Sequence, residues 1–552
     1  MKPKSSSFLT TIALFLVFSG IFLVAFVKMH QTKGTFWADE TGVVSSSITK
    51  GRAIKQLFYD AANTSQPPLD HIIREKLFVP LGERLGIANQ YPEFFHRLPA
   101  LLWWLLPIGY FAFNLRNFSP KNKTIIALAF SLLISSEFLR HYLAEARHYS
   151  AISAVFTTMI IILLSDRIKF GQIKYQFLAI SSLFPFLHLI SFPYYLLFMI
   201  FFFYQIRREL NRPLIISYAI FIILVLMMYA EIKNFSSPWQ HPSYKNLLGI
   251  HVVTSNIKWT LDWIFYGGIL YPLYKLIPEI VKNNLLSIFT VISGFLLIKF
   301  ALSLFRKKLN FITISNLFLL SIVMVWPLSI LTTLYFSGMF GGERYSITIM
   351  PIALFYLSWL ITTLIWKIFP TDKTKIIVGS LLIVISFVML LTEILPVDMN
   401  VLDTPDNQFV KQNVSILKDK NAYLILDNGV YSAAFFPLAA IYRVPIMVNY
   451  LQCRDGTFQT TGRNTLNDWL EEHKDKKVYL YSLKSSFMES EKILWQRDGF
   501  VLYRLTHVPQ QQLCQSPNSV GECYIKCIRG EPVSSGGRSI KGVAPHLGVY
   551  RN

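Results

Sequence analysis

The chain has 552 residues, of which 53% are hydrophobic and 15% aromatic, and its mean hydropathy is +0.42. A soluble fold cannot hide this much apolar surface in a normal core, so the composition argues against a water-soluble globular protein and favours lipid as the solvent. The net charge of +21 would suit a nucleic-acid-binding protein, but no basic patch stands out on a soluble part, so no nucleic-acid partner is expected.

Eleven apolar stretches of spanning length predict a polytopic α-helical membrane protein with about 11 transmembrane helices. The first stretch follows Lys2 and Lys4 and has no small-residue cleavage site after it, which indicates a retained anchor with a cytoplasmic N-terminus. The fifth and sixth are short and separated by Pro193, so they could form a broken or re-entrant pair. The predicted spans are 8–28, 98–115, 124–140, 148–165, 177–190, 192–206, 214–230, 284–304, 311–333, 347–366 and 376–395.

The charges between these spans predict their orientation. If the spans alternate from a cytoplasmic N-terminus, the cytoplasmic segments hold seventeen Lys and Arg residues against three acids. This positive-inside bias predicts an extracytoplasmic C-terminus and accounts for much of the net charge. The segments counted are 1–7, 116–123, 166–176, 207–213, 305–310 and 367–375.

The same orientation divides the chain into a transmembrane domain over 1–396, with a first extracytoplasmic loop at 29–97, and an extracytoplasmic region after it. In the loop, a helix is predicted from Pro67-Pro68 with an apolar stripe through Leu77, ended or kinked by Pro80. Residues 397–508 are predicted to form a small α/β domain, and 509–552 a disordered tail. The predicted elements of that domain are strands at 422–426, 477–481 and 500–504 and a helix at 465–473.

Ionisable residues gather at the predicted outer ends of the spans, where arginine is less expected under the positive-inside bias. Ionisable groups near membrane depth usually line a cavity or mark function. Asp39 and Glu40 follow the first span, His96-Arg97 precede the second, and Glu343-Arg344 precede the tenth. The junction of the third and fourth spans holds Glu137, Arg140, His141, Glu145, Arg147 and His148.

Six short motifs in this order resemble those of membrane glycosyltransferases of the GT-C fold, and most closely glycosyltransferase family 39, the bacterial branch of the dolichyl-phosphate-mannose protein mannosyltransferases. Trp37-Ala38-Asp39-Glu40 is similar to the family's acidic motif, and Gln66-Pro67-Pro68-Leu69 to its Pro-Pro-Leu motif. The remaining four are Arg97-Leu98-Pro99, Ala146-Arg147-His148-Tyr149-Ser150, Leu187-His188, and Arg344-Tyr345 with Pro351.

The resemblance implies transfer of a sugar, with inversion, from a polyprenyl-phosphate donor to a hydroxyl of a protein, lipid or glycan acceptor at the outer face of a bacterial inner membrane. Asp39 would be the catalytic base, assisted by Glu40. Cations would stabilise the leaving lipid phosphate, so no cofactor is required, although a divalent metal ion is left open. The implied phosphate-binding residues are Arg97, Arg147 and Arg344, with Arg140 as a further candidate, and the implied substrate-binding residues are Gln66, His188 and Tyr345.

Simpler interpretations stay open beside this one. Asp39 and Glu40 could cap a helix, each arginine could extend its charged end to lipid headgroups, and His188 could satisfy a buried hydrogen bond. The alternative function is a polytopic transporter or lipid flippase, which predicts ionisable residues near mid-span and repeated halves. Two departures from the resembled motifs are Asp70-His71, where relatives often carry aromatic residues, and Gln66, where aminoarabinose transferases of the superfamily carry Lys.

Overall fold

The computed structural model describes the chain as mostly helical, with a small C-terminal sheet. It divides the chain into two compact units. The first comprises Met1–Gln31, Gly51–Phe78 and Arg97–Val397, and the second Thr32–Lys50, Val79–His96 and Asp398–Asn552. The described residues are 68–87, 92–136, 142, 145–146, 148–165, 170–187, 212–234, 278–305, 349–394, 412–417, 419, 421–427, 449–454, 457–459, 471, 474–483, 493–497 and 500–505, with scattered positions within 18–57, 195–203, 254–262 and 318–325.

The helix predicted after Pro67-Pro68 is present, but Pro80 does not end it. Helix α1 (Pro68–Ile73) passes into a π-helical turn (Arg74–Phe78) and then into α2 (Val79–Arg84), which contains Pro80. A proline ring clashes with the carbonyl four residues earlier in a regular α-helix. The wider π-helical turn stands where that clash would fall, so the chain stays helical.

The second predicted span is two helices, α3 (Pro92–Leu102) and α4 (Leu105–Phe113). Pro107 has no backbone N–H and would clash with the carbonyl of Trp103 in a continuous helix, so a turn at Trp103-Trp104 separates the two. The helices that follow are α5 (Pro120–Ser135), α6 (Tyr149–Leu163), α7 (Phe170–Ser181), α8 (Arg212–Asn234), α9 (Glu279–Phe305), α10 (Ile349–Ile368) and α11 (Asp372–Ile394).

Helices α5 and α6 form the core of the first unit. Helix α6 is buried from Tyr149 to Ile162 and packs against α4, α7 and α10, while α5 packs against α10 and α11. The approach of α11 to α5 is close, because a Cβ at Gly379 would lie 2.8 Å from Cγ2 of Thr124. Further along the same pair, Ser131 Oγ donates to the carbonyl of Ile383 at 3.3 Å, so α5 and α11 run in the same direction.

Contacts at the two ends of the helices agree with alternating directions for α4, α5 and α6. At one end, the start of α6 bonds through Ser150 to the end of α3 and to the turn before α4. At the other end, Tyr110 OH donates to Gln176 at 2.6 Å and Asn122 Nδ2 donates to the carbonyl of Leu164 at 2.8 Å. The side of the membrane on which each end lies, and the division into domains, stay predictions.

Two long helices expose apolar side chains along their length. Helix α8 has 23 residues and α9 has 27, which at 1.5 Å per residue gives about 35 and 40 Å, enough for a bilayer core of about 30 Å. Among the described residues, one helix passes a strict length and hydropathy test for a membrane span, Ile349–Ile368. The exposed apolar residues are Ile215, Ile216, Ile220, Ile223, Leu224 and Met227 on α8, and Ile280, Val281, Ile288, Val291, Ile292, Phe295, Ile298 and Leu302 on α9.

The C-terminal part of the second unit contains a six-stranded sheet in the order β3-β2-β1-β4-β6-β5. A short helix, α12 (Val414–Leu417), precedes it. Strand β1 pairs in parallel with β2 and β4, whereas β3, β5 and β6 add antiparallel pairs. The three predicted strands are β1 (Ala422–Asp427), β4 (Lys477–Leu483) and β6 (Phe500–Leu505), and the prediction lacked β2 (Asn449–Arg454), β3 (Thr457–Gln459) and β5 (Ile493–Arg497). Of the helix predicted at 465–473, only Glu471 is described, as helical, and the tail from 509 lies outside the described residues.

Candidate active site

Of the eight residues predicted for the site, the structure describes Arg97. Asp39, Glu40, Gln66, Arg147, His188, Arg344 and Tyr345 lie outside the described residues, and so does Arg140. Residues near four of the motifs are described, however. His148 directly follows Arg147, Leu187 directly precedes His188, Pro68 lies two residues after Gln66, and Pro351 lies six residues after Tyr345; all four are buried.

Arg97 is a buried cation near the middle of α3. Its side chain is 1% exposed, which makes it one of the largest fully buried side chains in the described structure. An arginine that reaches lipid headgroups keeps its guanidinium at the surface. The burial of Arg97 contradicts that interpretation for this residue and leaves an internal role.

A relay of two hydrogen bonds joins the motif of Arg97 to the motif of Arg147. Ser150 Oγ donates to the carbonyl of Ala100 at 2.6 Å, and it accepts a hydrogen bond from Trp104 Nε1 at 2.9 Å. Ser150 is the last residue of the Ala146–Ser150 motif, while Ala100 directly follows Arg97-Leu98-Pro99. All three groups are buried, so the relay fixes the start of α6 against α3 where water cannot compete.

Aromatic and ionisable side chains are packed together just before α6. The rings of Tyr142 and Tyr149 meet edge to face with centroids 5.0 Å apart, and the ring of His148 lies 4.5 Å from that of Tyr149. Glu145, which is close to these residues in the sequence, is also buried. Buried acids and histidines are costly to desolvate, and they are commonly found at functional sites.

The first turns after the Pro-Pro-Leu motif bury charge rather than apolar surface. Arg74 Nε lies 2.6 Å from Asp70 Oδ2, and each side chain is 1% exposed. His71 and Glu75 are buried as well, whereas Leu77 is 59% exposed. The buried face of this segment is therefore the one with the four ionisable residues at 70, 71, 74 and 75, and not the apolar stripe.

Sequence reasoning missed Arg74, Glu75 and Trp104 as parts of this region, and it named Ser150 only as the last residue of a motif. For Arg74 a signal was present, because opposite charges four residues apart on a helix are neighbours on one face. For the bond between Trp104 and Ser150 no sequence signal existed, since it joins residues 46 positions apart. Among the described residues, no group of three or more His, Cys, Asp or Glu side chains could hold a metal ion.

Comparisons with known proteins found likeness in structure alone. No protein-family model and no curated protein matches the chain. A crystal structure of ArnT from Cupriavidus metallidurans in the apo state is 11% identical with a TM-score of 0.48, covering 91% of this chain and 99% of that one. The same protein bound to undecaprenyl phosphate is 10% identical with a TM-score of 0.46 and the same coverage. At these identities and TM-scores, neither match assigns a family or a substrate to this chain.

Proposed function

We propose that this chain is a membrane glycosyltransferase that moves a sugar from a polyprenyl-phosphate donor to an acceptor hydroxyl, with inversion, at the outer face of a bacterial inner membrane. The observation that carries the proposal is the Ala100–Ser150–Trp104 relay. Through buried hydrogen bonds it joins the last residue of one motif to the residue that directly follows another, three residues after the buried cation Arg97 in the sequence. Chance resemblance of short motifs gives no reason for such a connection.

The chemistry assigned to these motifs needs a base and a phosphate site. The Asp39 carboxylate takes the proton of the acceptor hydroxyl, whose oxygen attacks the anomeric carbon from the face opposite the phosphate. The bond between that carbon and the phosphate oxygen breaks, and polyprenyl phosphate leaves with the electron pair. Arg97, Arg147 and Arg344 stabilise the negative charge on the leaving group, and Glu40 orients Asp39.

The distribution of buried polar residues supports an enzyme over a transporter. Among the described residues of these helices, the buried ionisable ones lie towards the helix ends: Arg97 and His148 near the Ser150 end, and Lys174 of α7 near the opposite end. The buried polar residues further along α6 and α10 are uncharged: Ser153, Thr157, Thr158, Ser358 and Thr362. A transporter or flippase predicts ionisable groups at mid-span. The transporter stays the alternative, with a distinct outcome in the experiment below.

The test is sugar transfer by the purified full-length chain in lipid nanodiscs, supplied with radiolabelled polyprenyl-phosphate sugars and a membrane extract as acceptor. We expect transfer by the wild type and a loss of turnover of about 100-fold or more in Asp39→Asn, which keeps size and removes basicity. Asp372→Asn, which changes an exposed acid at the start of α11, is the matched control and should transfer normally.

Two results would contradict the proposal. If Asp39→Asn and Asp372→Asn turn over alike, Asp39 is not the base. If the wild type leaves every labelled donor intact but moves it between the leaflets of reconstituted vesicles, the chain is a flippase.

A further inference from the structure

The buried charged face of α1 and the π-helical turn has no explanation in packing. Asp70 and Arg74 form an ion pair of 2.6 Å in which both side chains are 1% exposed. Taking two charges out of water is costly, and replacing such a pair by apolar residues is often neutral or stabilising. The same segment carries Leu69, Ile72, Ile73 and Leu77, which a segment built only for packing would bury instead.

One oxygen of this pair is unused. Arg74 Nε bonds to Oδ2 of Asp70, while the buried Oδ1 of Asp70 has no hydrogen-bond partner in the described part of the chain. An unsatisfied buried acceptor is costly, and in native proteins it calls for an explanation such as a bound ligand. Asp70 is also only four residues from Gln66, which the resemblance implies is a substrate-binding residue.

We propose that Asp70 binds a hydroxyl of the donor sugar through Oδ1, and that Arg74 is a positioning residue that holds the carboxylate through Oδ2. This inference rests on the proposed function and names a sugar contact for the same site. The chemical class of the ligand follows from the hydrogen-bond acceptor, which is the Asp70 carboxylate. An ionised carboxylate accepts hydrogen bonds and repels phosphate, so it suits the neutral hydroxyls of the sugar and not the lipid phosphate. A metal ion fits less well, because no cluster of three ligands lies among the described residues.

The experiment separates sugar binding from phosphate binding. Full-length Asp70→Asn, Asp70→Glu and Arg74→Lys are reconstituted in nanodiscs, and each is assayed for the KM of the polyprenyl-phosphate sugar and for inhibition by polyprenyl monophosphate, which lacks the sugar. We expect kcat/KM for the donor to fall about tenfold or more in the two Asp70 variants, since a hydrogen bond from a sugar to a charged group is lost or misplaced. The inhibition constant of polyprenyl monophosphate should stay within about twofold of the wild type. Arg74→Lys should lower kcat/KM for the donor by a smaller factor, because lysine keeps the charge and loses the planar fork.

A second arm compares the glucose form of the donor with the mannose and galactose forms, each of which differs from glucose in the orientation of one hydroxyl. The wild type should discriminate among them, and the Asp70 variants should lose part of that discrimination. Asp372→Asn again serves as the control, because it removes an acid from an exposed ion pair in the same unit.

Each remaining result decides against the inference. If kcat/KM for the donor and the inhibition constant of polyprenyl monophosphate change by the same factor, Asp70 does not bind the donor sugar. The same holds if only the KM of the acceptor substrate changes. If the variants behave like Asp372→Asn, or if neither Asp70 variant yields folded protein, the pair is purely structural. In those cases wild-type transfer leaves the proposed function standing, whereas a wild type that transfers no sugar removes both.

Discussion

Two regions depart from the burial pattern of a water-soluble protein. The long helices α8 and α9 expose apolar side chains, and the segment after the Pro-Pro-Leu motif buries charged ones. Helices α8 and α9 turn isoleucine, leucine and phenylalanine outward, and the first segment turns Asp70, His71, Arg74 and Glu75 inward. The lipid environment that the sequence predicts would explain the outward apolar faces, because hydrocarbon tails would solvate them. Lipid gives no reason to bury an ion pair inside the protein, whereas the sugar contact proposed at Asp70 supplies one.

The ion pair should be the more fragile of the two regions. Arg74→Ala leaves Asp70 buried without its cation, and we expect a loss of about 3–5 kcal/mol of unfolding free energy. Denaturant titration of the full-length protein in mild detergent measures this. Asp372→Ala is the matched control, because it breaks an exposed pair with Lys375 and should cost about 1 kcal/mol or less. Equal losses in both variants would mean that Asp70 is not buried with Arg74.

The apolar faces can be tested by placing a charge on one of them. Ile223 is at the centre of α8 and is 54% exposed. If lipid covers it, Ile223→Asp should disfavour membrane insertion by about 2.5–3.5 kcal/mol, seen as reduced yield of full-length protein in the membrane fraction. Ile223→Leu should insert like the wild type. Normal yield of the Asp variant would place this face in water.

Sequence predicted the parts of the fold whose cause is local. The apolar stretches became α5, α6 and α8–α11. Strands β1, β4 and β6 were predicted because each has a continuous apolar and aromatic run, as in Phe500–Leu505. Strands β2, β3 and β5 were missed because polar residues interrupt them, as in Asn449–Arg454, and pairing with distant strands stabilises them. The break at Trp103-Trp104 could have been predicted from Pro107, and the apolar length of the stretch concealed it.

The site was less accessible to sequence reasoning, because its connections are long-range. Motif order gave Arg97 and the Ala146–Ser150 segment separately, but not the bond from Trp104 to Ser150. Periodicity predicted the helix after Pro68 and its apolar stripe, but it gave no indication that the opposite, charged face is the buried one. At Asp70 and Arg74 burial follows charge, and local pattern rules are expected to fail at functional sites.

The relay through Ser150 should affect transfer more than stability. Ser150→Ala removes the acceptor of Trp104 Nε1 and the donor to the carbonyl of Ala100, at about 1–3 kcal/mol of stability. We expect kcat to fall about tenfold at matched folded protein, because small displacements of catalytic groups are costly. Ser131→Ala, which loses a buried bond to Ile383, is the control. If it lowers kcat as much, the Ser150 effect is only a packing effect.

The smallest effect is expected in the sheet unit, at the exposed pair of Asp419 and Lys477. Lys477 Nζ donates to Asp419 Oδ2 at 2.8 Å and links the turn before β1 to the first residue of β4. This hydrogen bond lowers the pKa of Asp419 and raises the pKa of Lys477. A carboxyl with a lowered folded pKa stabilises the fold above its unfolded pKa and loses that contribution as the pH falls through the folded value. The lysine contribution is fully present below its unfolded pKa and is lost as the pH rises through the raised value.

The pair therefore contributes at neutral pH, and weakly, because it is exposed. Denaturation midpoints of the wild type and Asp419→Asn should differ slightly at pH 7 and converge in acid. A difference that persists or grows below the pKa of Asp419 would show that the side chain acts through uncharged hydrogen bonds, such as the one it accepts from the backbone N–H of Asn421.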